Sequence, residues 1–327
     1  MGPGDLRGLL RSLSPSSAPD VLVDMATGDD AGVVRLDGQR ALIHTVDVIT
    51  PIVDEPVTFG RVAAANALSD VYAMGGEPMT AVSILGVPKG LPVAALSSVM
   101  RGAQDTLRIA GAHLVGGHTL KDHELRLGFA VTGMAVPRAL ITNTHARPHD
   151  RVVLTKALGT GVLYQAMKEG VRSAAETRAV VTSMTRLNRE AAAVMVQAGI
   201  RAATDVTGFG LIGHALNIAR GSDVDIVLDA SALPALPGVL AHLVAGRRPG
   251  TTQVNLDGYG RGFIAARGVS GTAVALGADP QTSGGLLMMI PPRKVAGILQ
   301  EIEAWEIGEV RVKRAARPTV RMLRGVA

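Results

Sequence analysis

The chain has 327 residues, of which 47% are hydrophobic, 19% are charged and 2% are aromatic. This composition is typical of a folded protein with an aliphatic core, and the length favours two domains over one. The net charge is +5, but the basic residues are mostly single arginines among acidic residues, with one loose cluster (RVKRAARP) near the C-terminus. We expect that cluster to be solvated, and with so few aromatic rings the sequence argues against a nucleic-acid partner.

Cysteine is absent from the sequence, which excludes disulfides, zinc-thiolate sites and a cysteine nucleophile among these residues. No stretch approaches about 18 uncharged apolar residues, so no membrane helix is predicted. The opening MGPGDLRGLLRSLSPSSAP lacks the order of charged, apolar and small residues that marks a signal peptide. We therefore expect a cytoplasmic protein with no membrane partner.

The N-terminal half alternates strand-like and helix-like segments, an α+β pattern. Two apolar runs within residues 31–48 flank Asp37-Gly38, a turn pair that predicts a hairpin. In the Ala-rich segment that follows, Thr58 is expected to cap a helix and Gly75-Gly76 to end it. The remaining segments are the strand TAVSILGV, a helix over residues 92–110 closed by Gly111, and the strands AHLVGG and LRLGFAVTGMAV.

A second unit is predicted to begin near Asp150, where the strand RVVLTK leads through a glycine-rich turn into a helix. Residues 173–197 are predicted to form long Ala-rich helical structure. Then come TDVTGFGLIGHALNIAR, the strand DIVLDA, a Pro/Gly-rich stretch to residue 261, and the loop ADPQTSGG before the strand LLMMI. This order is typical of an α/β unit, so we predict two domains, over residues 1–149 and 150–327.

Five aspartates stand at the ends of these elements, beside Gly, Ser and Thr: Asp29, Asp30, Asp47, Asp70 and Asp205. Mg²⁺ prefers oxygen ligands and bridges one or two carboxylates to substrate phosphates, so dispersed aspartates that converge in a fold can bind it. Asp29-Asp30 could equally begin a strand or form an Asx turn. Asp70, by contrast, lies four residues after Asn66 in an apolar helix, where an unpaired carboxylate is costly and a metal or cation would explain it.

Two glycine-rich segments could approach an anion. Gly116-Gly117-His118-Thr119 follows an apolar strand, although spacing alone favours a tight turn with a solvated histidine. Residues 158–161 (LGTG) precede a helix and give a similar weak signal for an anion site. Neither matches the Walker pattern. His44, His113 and His214 have no ligand-like neighbours in sequence and are interpreted as structural or surface residues.

Taken together, the motifs resemble the selenide, water dikinase family over nearly the whole chain. They are GDDAGV, TVDVITPIVDEP, FGRVAAANALSDVYAMGGEP, GGHT, TDVTGFGLIGH and DPQTSGGLL, in that order. Paired carboxylates and glycine turns recur in the wider superfamily of aminoimidazole ribonucleotide synthetase, thiamine monophosphate kinase and the hydrogenase-maturation dehydratase. The resemblance implies the two-domain aminoimidazole ribonucleotide synthetase-like fold, α/β in both units, with N-terminal domains pairing through their sheets in a homodimer.

The same resemblance implies a function: ATP-dependent synthesis of selenophosphate from selenide and water, giving AMP and orthophosphate. It implies Mg²⁺ ligands at Asp30, Asp70 and Asp205. It implies ATP contacts at Thr27, Gly28, Asp29, Asp47 and Asp70, and, from the partner subunit, at Gly116, Gly117 and His118. ATP and selenide would be the small-molecule substrates.

One departure concerns the start of the chain. The family carries a cysteine or selenocysteine, and then a lysine, just before the helix that corresponds to residues 6–13; here the first lysine is Lys89, and only Arg7 and Arg11 lie nearby. We expect the catalytic nucleophile upstream of Met1, so that these residues bind Mg²⁺-ATP but form little selenophosphate alone. The alternatives are a related ATP-dependent synthetase or kinase of the superfamily, and an ATP-binding paralogue without catalysis.

Overall fold

The computed structural model describes residues 2–10 and 12–325. A six-stranded sheet has the order β1-β2-β3-β6-β4-β5, and all its pairs are antiparallel except β4 with β5. Its strands are β1 (Val21–Val23), β2 (Gly32–Arg35), β3 (Ala41–Ile49), β4 (Glu77–Val87), β5 (His113–Lys121) and β6 (Arg126–Ala135). The helices of this part of the chain are α1 (Pro3–Leu10), α2 (Pro56–Ala73) and α3 (Val93–Ala110). Of these, α2 and α3 pack with the sheet, whereas α1 packs against residues 250–259. Arg11 lies outside the described residues, as does the side chain of Arg7.

A second, seven-stranded mixed sheet follows, in the order β10-β13-β9-β12-β7-β11-β8. Its strands are β7 (Arg151–Leu154), β8 (Ala202–Asp205), β9 (Val224–Asp229), β10 (Phe263–Ala265), β11 (Leu286–Ile290), β12 (Trp305–Val312) and β13 (Val320–Leu323). Its helices are α4 (Thr160–Lys168), α5 (Ala174–Thr185), α6 (Arg189–Gln197), α7 (Gly210–Gly221), α8 (Val239–Val244), α9 (Gly250–Tyr259), α10 (Gly271–Ala278) and α11 (Pro292–Glu301). The domain division at residues 149 and 150 stays a prediction.

The helix α2 joins the two parts of the fold. Nearly every residue from Phe59 to its end is buried, because α2 packs on β3 and β6 of the first sheet and also against β8 and α5. Glycines let α3 approach closely: a Cβ at Gly60 would lie 1.9 Å from the Val99 carbonyl oxygen, and one at Gly102 1.9 Å from that of Val57. This position places the polar residues of α2 at the junction of the two sheets.

Several local predictions are confirmed. The hairpin predicted at Asp37-Gly38 pairs β2 with β3 in the register Val33 to Ile43. The helix predicted over residues 92–110 is α3, and Gly111 ends it in the left-handed conformation. The strand LLMMI is β11.

The predicted helix cap is wrong, and the structure refines the predictions for three other segments. Thr58 lies inside α2, whose cap is Glu55: its carboxylate accepts hydrogen bonds from the N–H groups of Val57 and Thr58. The helical stretch over residues 173–197 is two helices, because Arg186 is extended. The Pro/Gly-rich stretch contains α8 and α9. The basic cluster lies at the end of β12 and in the next loop; most of its residues are exposed, as expected, and Lys313 pairs with Asp223.

Candidate active site

Four aspartates from different parts of the chain meet beside α2. Asp30 precedes β2, Asp47 lies in β3, Asp70 in α2, and Asp205 ends β8. Repulsion from the other three carboxylates contributes to the raised pKa of Asp70, which shows that all four share one electrostatic environment. Ligand atoms of Asp30, Asp205 and His214 lie within 4.8 Å of one another. We call Asp30, Asp47, Asp70 and Asp205 the aspartate cluster.

Hydroxyl groups hold the two carboxylates nearest the second sheet. Thr204 Oγ1 donates to Asp30 Oδ1 at 2.6 Å, although the two residues are 174 positions apart. Asp205 accepts a hydrogen bond from the Ser69 side chain of α2. Its Oδ2 atom is buried and has no hydrogen-bond partner among the described residues. A buried, unsatisfied carboxylate oxygen that faces other carboxylates is suited to bind a cation.

The other two carboxylates are held from the first sheet and from α2 itself. Asn66 Nδ2 donates to Asp47 Oδ2 at 2.6 Å, and the Thr45 hydroxyl donates to Asp70. Thr45 and Asp47 lie on the same face of β3 because side chains two apart point to one side of a strand. Asn66 and Asp70 share a face of α2 because they are four residues apart.

Burial raises the pKa of every carboxyl in the cluster. It raises the pKa of Asp47 to about 7 and that of Asp205 to about 6. The pKa values of Asp30 and Asp70 lie well above the usual value, first because of burial and then because of repulsion from Asp205. Four such groups ionise together only when a cation compensates their charge.

A buried lysine supplies part of that compensation. Lys156 follows β7, and its Nζ donates to the carbonyl oxygens of Arg186 at 2.6 Å and Ser283 at 2.8 Å. Burial lowers the pKa of Lys156 to about 7, while attraction to Asp205 opposes that shift. The lysine is bound to backbone carbonyls rather than paired directly with a carboxylate, so it moderates the negative charge of the cluster without neutralising it.

The loop Asp279–Gly285 is tied to α2 at the same place. The Ser283 N–H donates to Asn66 Oδ1 at 2.8 Å. Asn188 Nδ2 donates both to Ser69 Oγ and to the Gly284 carbonyl oxygen. These bonds connect α2, the break between α5 and α6, and the loop, which fixes the two sheets relative to each other beside the aspartate cluster.

The predicted anion site at LGTG is wrong, because side chains of the same loop fill it. Gln281 Oε1 accepts hydrogen bonds from the N–H groups of Gly159 and Thr160 and from the Thr160 hydroxyl. Asp279 Oδ2 accepts from the N–H groups of the next two residues. The free N–H groups at the start of α4 are therefore satisfied internally.

Replacing Gln281 by Leu is expected to lower the free energy of unfolding by about 1–3 kcal/mol, because the buried N–H groups of Gly159 and Thr160 would lose their acceptor. Urea unfolding followed by circular dichroism measures the change. Gln253→Leu is the control, since the Gln253 side chain is exposed and bonds only Asp257 on its own helix. Equal effects of the two substitutions would contradict the capping role of Gln281.

The predicted nucleotide contacts Thr27, Gly28 and Asp29 lie at the edge of the cluster. Asn143 donates through its backbone N–H to Asp29 Oδ1 at 2.6 Å and through Nδ2 to the Gly28 carbonyl oxygen. Thr27 and Asp29 line a cavity of about 390 Å³. Its wall is partly apolar and includes His145 and the cationic residues Arg35, Arg138 and Arg201.

The predicted contacts Gly116, Gly117 and His118 are not brought to the cluster. They lie within β5, the exposed edge strand, and not in the turn that the sequence predicted. Glycine is required there by close packing: a Cβ at Gly117 would lie 2.0 Å from Ser83 Oγ. Because β5 is three strand positions from β3 in the sheet, the separation from Asp47 in the same chain is about 14 Å.

Sequence reasoning missed several polar residues around the cluster. His214, interpreted as structural or surface, is buried beside Asp30 and Asp205, and burial lowers its pKa to about 4. Thr204 and His214 are the first and last residues of the motif TDVTGFGLIGH. A polar residue at each end of a largely apolar motif could have indicated that both belong to the site. Lys156 had no comparable signal, since a lysine after a strand is ordinarily exposed.

Two family comparisons cover most of the chain. Residues 28–135 match the family described as AIR synthase related protein, N-terminal domain, and residues 147–321 match its C-terminal domain. A protein of Geobacter metallireducens named "Selenide, water dikinase" is 45% identical over 295 residues, covering 90% of this chain and 86% of its own length. One of the same name from Nitratidesulfovibrio vulgaris is 43% identical, covering 95% and 91%. The chain belongs to the selenide, water dikinase family.

Solved structures confirm the fold of this selenide, water dikinase family member. Thiamine monophosphate kinase from Aquifex aeolicus aligns with a TM-score of 0.65 at 20% identity, covering 86% of this chain and 87% of that one. Hydrogenase maturation protein HypE in complex with ATP aligns with a TM-score of 0.66 at 19% identity, covering 94% and 87%. The predicted two-domain aminoimidazole ribonucleotide synthetase-like fold is thus confirmed. These likenesses concern the fold alone.

Proposed function

We propose that this chain supplies the ATP- and metal-binding site for ATP-dependent synthesis of selenophosphate from selenide and water, with AMP and orthophosphate as the other products. The observation that carries the proposal is the aspartate cluster, found in a chain 45% identical to a protein named "Selenide, water dikinase". Phosphoryl transfer depends largely on positioning and charge neutralisation, and converging carboxylates provide both once a divalent cation is bound.

The residues of the cluster fit Mg²⁺. The donor set consists of carboxylate oxygens, the type that Mg²⁺ prefers. Asp205 Oδ2 is buried without a partner in the described part of the chain, and repulsion among the carboxylates favours a cation there. Asp30, Asp70 and Asp205 would hold the metal, which when bound neutralises charge on the ATP phosphates. Thr204, Ser69 and Thr45 orient these carboxylates through their hydroxyl groups.

The nucleotide would extend from the cluster toward Thr27, Gly28 and Asp29. The adjoining cavity supports this placement because it combines apolar walls with arginine side chains, a mixture that suits a phosphorylated organic molecule. A structural neighbour solved with ATP, the HypE protein, supports a nucleotide in this fold. Asp47 would then contact the nucleotide from β3, and Asp70 would contact both nucleotide and metal.

A homodimer would complete the site. The face of the first sheet opposite α2 carries exposed apolar side chains, including Val46, Val48 and Val82. Such a face calls for a covering partner. Gly116 and His118 align with Val82 and Ile84 across β4 and β5, so they lie on that face, and in a dimer Gly116, Gly117 and His118 would reach the partner's nucleotide.

We also propose the division into domains at residues 149 and 150. The first domain carries the ATP and dimer contacts and most of the metal site, to which the second contributes Asp205. Among the residues that the structure describes, no helix is long and apolar enough to cross a membrane. A cytoplasmic location is part of the proposal.

The test of the function is selenide-dependent AMP formation, with selenophosphate identified by phosphorus NMR. Because the 327 residues contain no cysteine, the assay is run on this chain and on a fusion carrying the N-terminal segment of the Geobacter metallireducens relative. AMP and selenophosphate that require selenide in either protein support the proposal. Product formed from an added ribonucleotide instead, or Mg²⁺-ATP binding without turnover in both, would contradict it.

Mg²⁺ affinity is expected to rise with pH between 5.5 and 8. The raised pKa values of Asp47, about 7, and Asp205, about 6, leave these groups largely protonated at the lower pH, and the metal must displace the protons. Each displaced proton makes the affinity change about tenfold per pH unit below the pKa of its group, and the dependence levels off above it. Calorimetry without nucleotide measures this effect, because ATP itself takes up protons in the same pH range and would add its own pH dependence. An affinity that does not change over this range would contradict the assignment of Asp205 as a metal ligand and the placement of Asp47 beside it.

A further inference from the structure

His214 lies on α7 beside the aspartate cluster, close to both Asp30 and Asp205. Its ligand atoms are within 4.8 Å of theirs, an arrangement that by distance alone could make it a further metal ligand. We infer that His214 is instead a positioning residue, which holds the Thr204 hydroxyl in the orientation that directs its hydrogen to Asp30. The inference rests on the proposed Mg²⁺ site and adds a residue that supports it from outside the ligand set.

The hydrogen bonds of the imidazole decide which nitrogen carries the proton. The Thr207 backbone N–H donates to His214 Nε2 at 3.1 Å. The Thr207 hydroxyl lies 3.2 Å from the same nitrogen and can also donate to it. A backbone N–H can only donate, so Nε2 is the unprotonated nitrogen and its lone pair is occupied. In the neutral ring Nδ1 then carries the hydrogen. Neither nitrogen has a lone pair left for a metal.

The protonated nitrogen faces a hydroxyl group. His214 Nδ1 lies 3.4 Å from Thr204 Oγ1, and Thr204 Oγ1 lies 2.6 Å from Asp30 Oδ1. A hydroxyl group has one hydrogen, so Thr204 can accept from the imidazole and donate to the carboxylate at the same time. A contact of Thr204 Oγ1 with the Asp205 carbonyl oxygen, at 3.0 Å, competes for that hydrogen. The Nδ1–H group of His214 donates to Thr204 Oγ1. The hydrogen of the Thr204 hydroxyl then remains directed to Asp30.

The surroundings of the ring keep it in place. His214 is 6% exposed and Thr204 1%, so water does not compete for either group. The ring contacts Phe209, with centroids 6.0 Å apart, and the turn before α7 supplies the Thr207 N–H. Partners of this kind, one step removed from the metal, typically change metal affinity by about 10- to 100-fold when removed. His214 therefore acts on Asp30 through Thr204.

The tautomer is tested first. In protein labelled with ¹⁵N at histidine, two-bond proton–nitrogen correlation spectra distinguish protonated from unprotonated ring nitrogens, and comparison with His214→Asn assigns the signal. We expect His214 to be protonated at Nδ1, both in the metal-free protein and after addition of Mg²⁺. A ring protonated at Nε2, or a large shift of a ring nitrogen on metal binding, would overturn the inference. This readout requires no catalytic turnover.

A double-mutant cycle tests the action through Thr204. By calorimetry, His214→Leu and Thr204→Val are each expected to weaken Mg²⁺ binding in the presence of ATP by about 10-fold or more. The double variant should be no weaker than Thr204→Val alone, because the histidine acts only through the hydroxyl. His214→Asn, whose amide N–H can replace that of Nδ1, should recover most of the affinity, and His123→Leu in an exposed loop should change nothing.

The outcomes separate the inference from the proposed function. Additive losses in the double variant, or full affinity in His214→Leu, would overturn the positioning role while leaving the metal site intact. A wild-type chain that binds no Mg²⁺ would overturn the metal site, and the positioning role with it. If His214→Leu does not fold, two measurements still test the positioning role. One is the tautomer of His214 in the wild type. The other is the Mg²⁺ affinity of Thr204→Val compared with that of Thr204→Ser, since serine keeps the hydroxyl.

Discussion

Replacing Asp70 by Asn is expected to abolish Mg²⁺-dependent ATP binding while making the metal-free protein more stable. Asp70 is buried, and repulsion from Asp205, Asp47 and Asp30 adds to the burial that raises its pKa. At neutral pH the cluster therefore opposes folding until a cation is bound. Asparagine removes one source of repulsion, and its amide oxygen can still accept from the Thr45 hydroxyl. Stability gained by losing function in this way is common at sites that concentrate like charges.

The loss of Mg²⁺ affinity in Asp70→Asn should exceed about 100-fold, since removing even an outer partner of a metal ligand costs about 10- to 100-fold. The melting temperature of the metal-free variant should equal or exceed that of the wild type, by about 2–4 °C for each kcal/mol of relieved repulsion. Asp105→Asn, on the exposed face of α3, is the matched control. Unchanged Mg²⁺-ATP affinity, or a metal-free protein that melts well below the wild type, would contradict the role of Asp70.

The parts of the fold that the sequence predicts are those encoded within a few residues. The Asp37-Gly38 turn sets the register of its own hairpin, and Gly111 ends its own helix, because both effects are local. The wrong predictions arise where tertiary contacts override local preference. Asn188 is one such residue: its side chain bonds Ser69 and the Gly284 carbonyl, and the helical stretch is broken just before it. No local pattern records those partners.

Some residues of the candidate site could likewise be predicted from the sequence, and others could not. The aspartates could be picked out because a carboxylate such as Asp70 is conspicuous in an apolar helix, and because the resemblance assigned roles to motifs. Their partners could not be found from sequence, since Thr204 meets Asp30 across 174 positions. GGHT was interpreted as a turn because adjacent glycines usually form one; the extended strand reflects the close approach of Ser83 to Gly117, which only the folded sheet reveals.

The uncovered face of the first sheet leads to the remaining prediction, that wild-type protein is a dimer and Val46→Arg is a monomer. Val46 is 56% exposed at the centre of that face, in β3, and its neighbours there are mainly apolar. A stable interface would bury about 1,200–2,000 Å² in total, and an unpaired guanidinium within it would cost several kcal/mol. Light scattering at micromolar concentration with Mg²⁺ and ATP measures the mass.

Val244→Arg is the control for this experiment, because Val244 is 78% exposed at the end of α8, away from the sheet, and the same change there should leave the dimer intact. If Gly116 and His118 contact the partner's nucleotide, Val46→Arg should also weaken ATP binding although it touches no residue of the aspartate cluster. The coupled loss of dimer and nucleotide affinity is therefore the expected signature of a shared site. A monomeric wild type, or a monomeric Val46→Arg protein with full ATP affinity, would show instead that each chain binds its nucleotide alone.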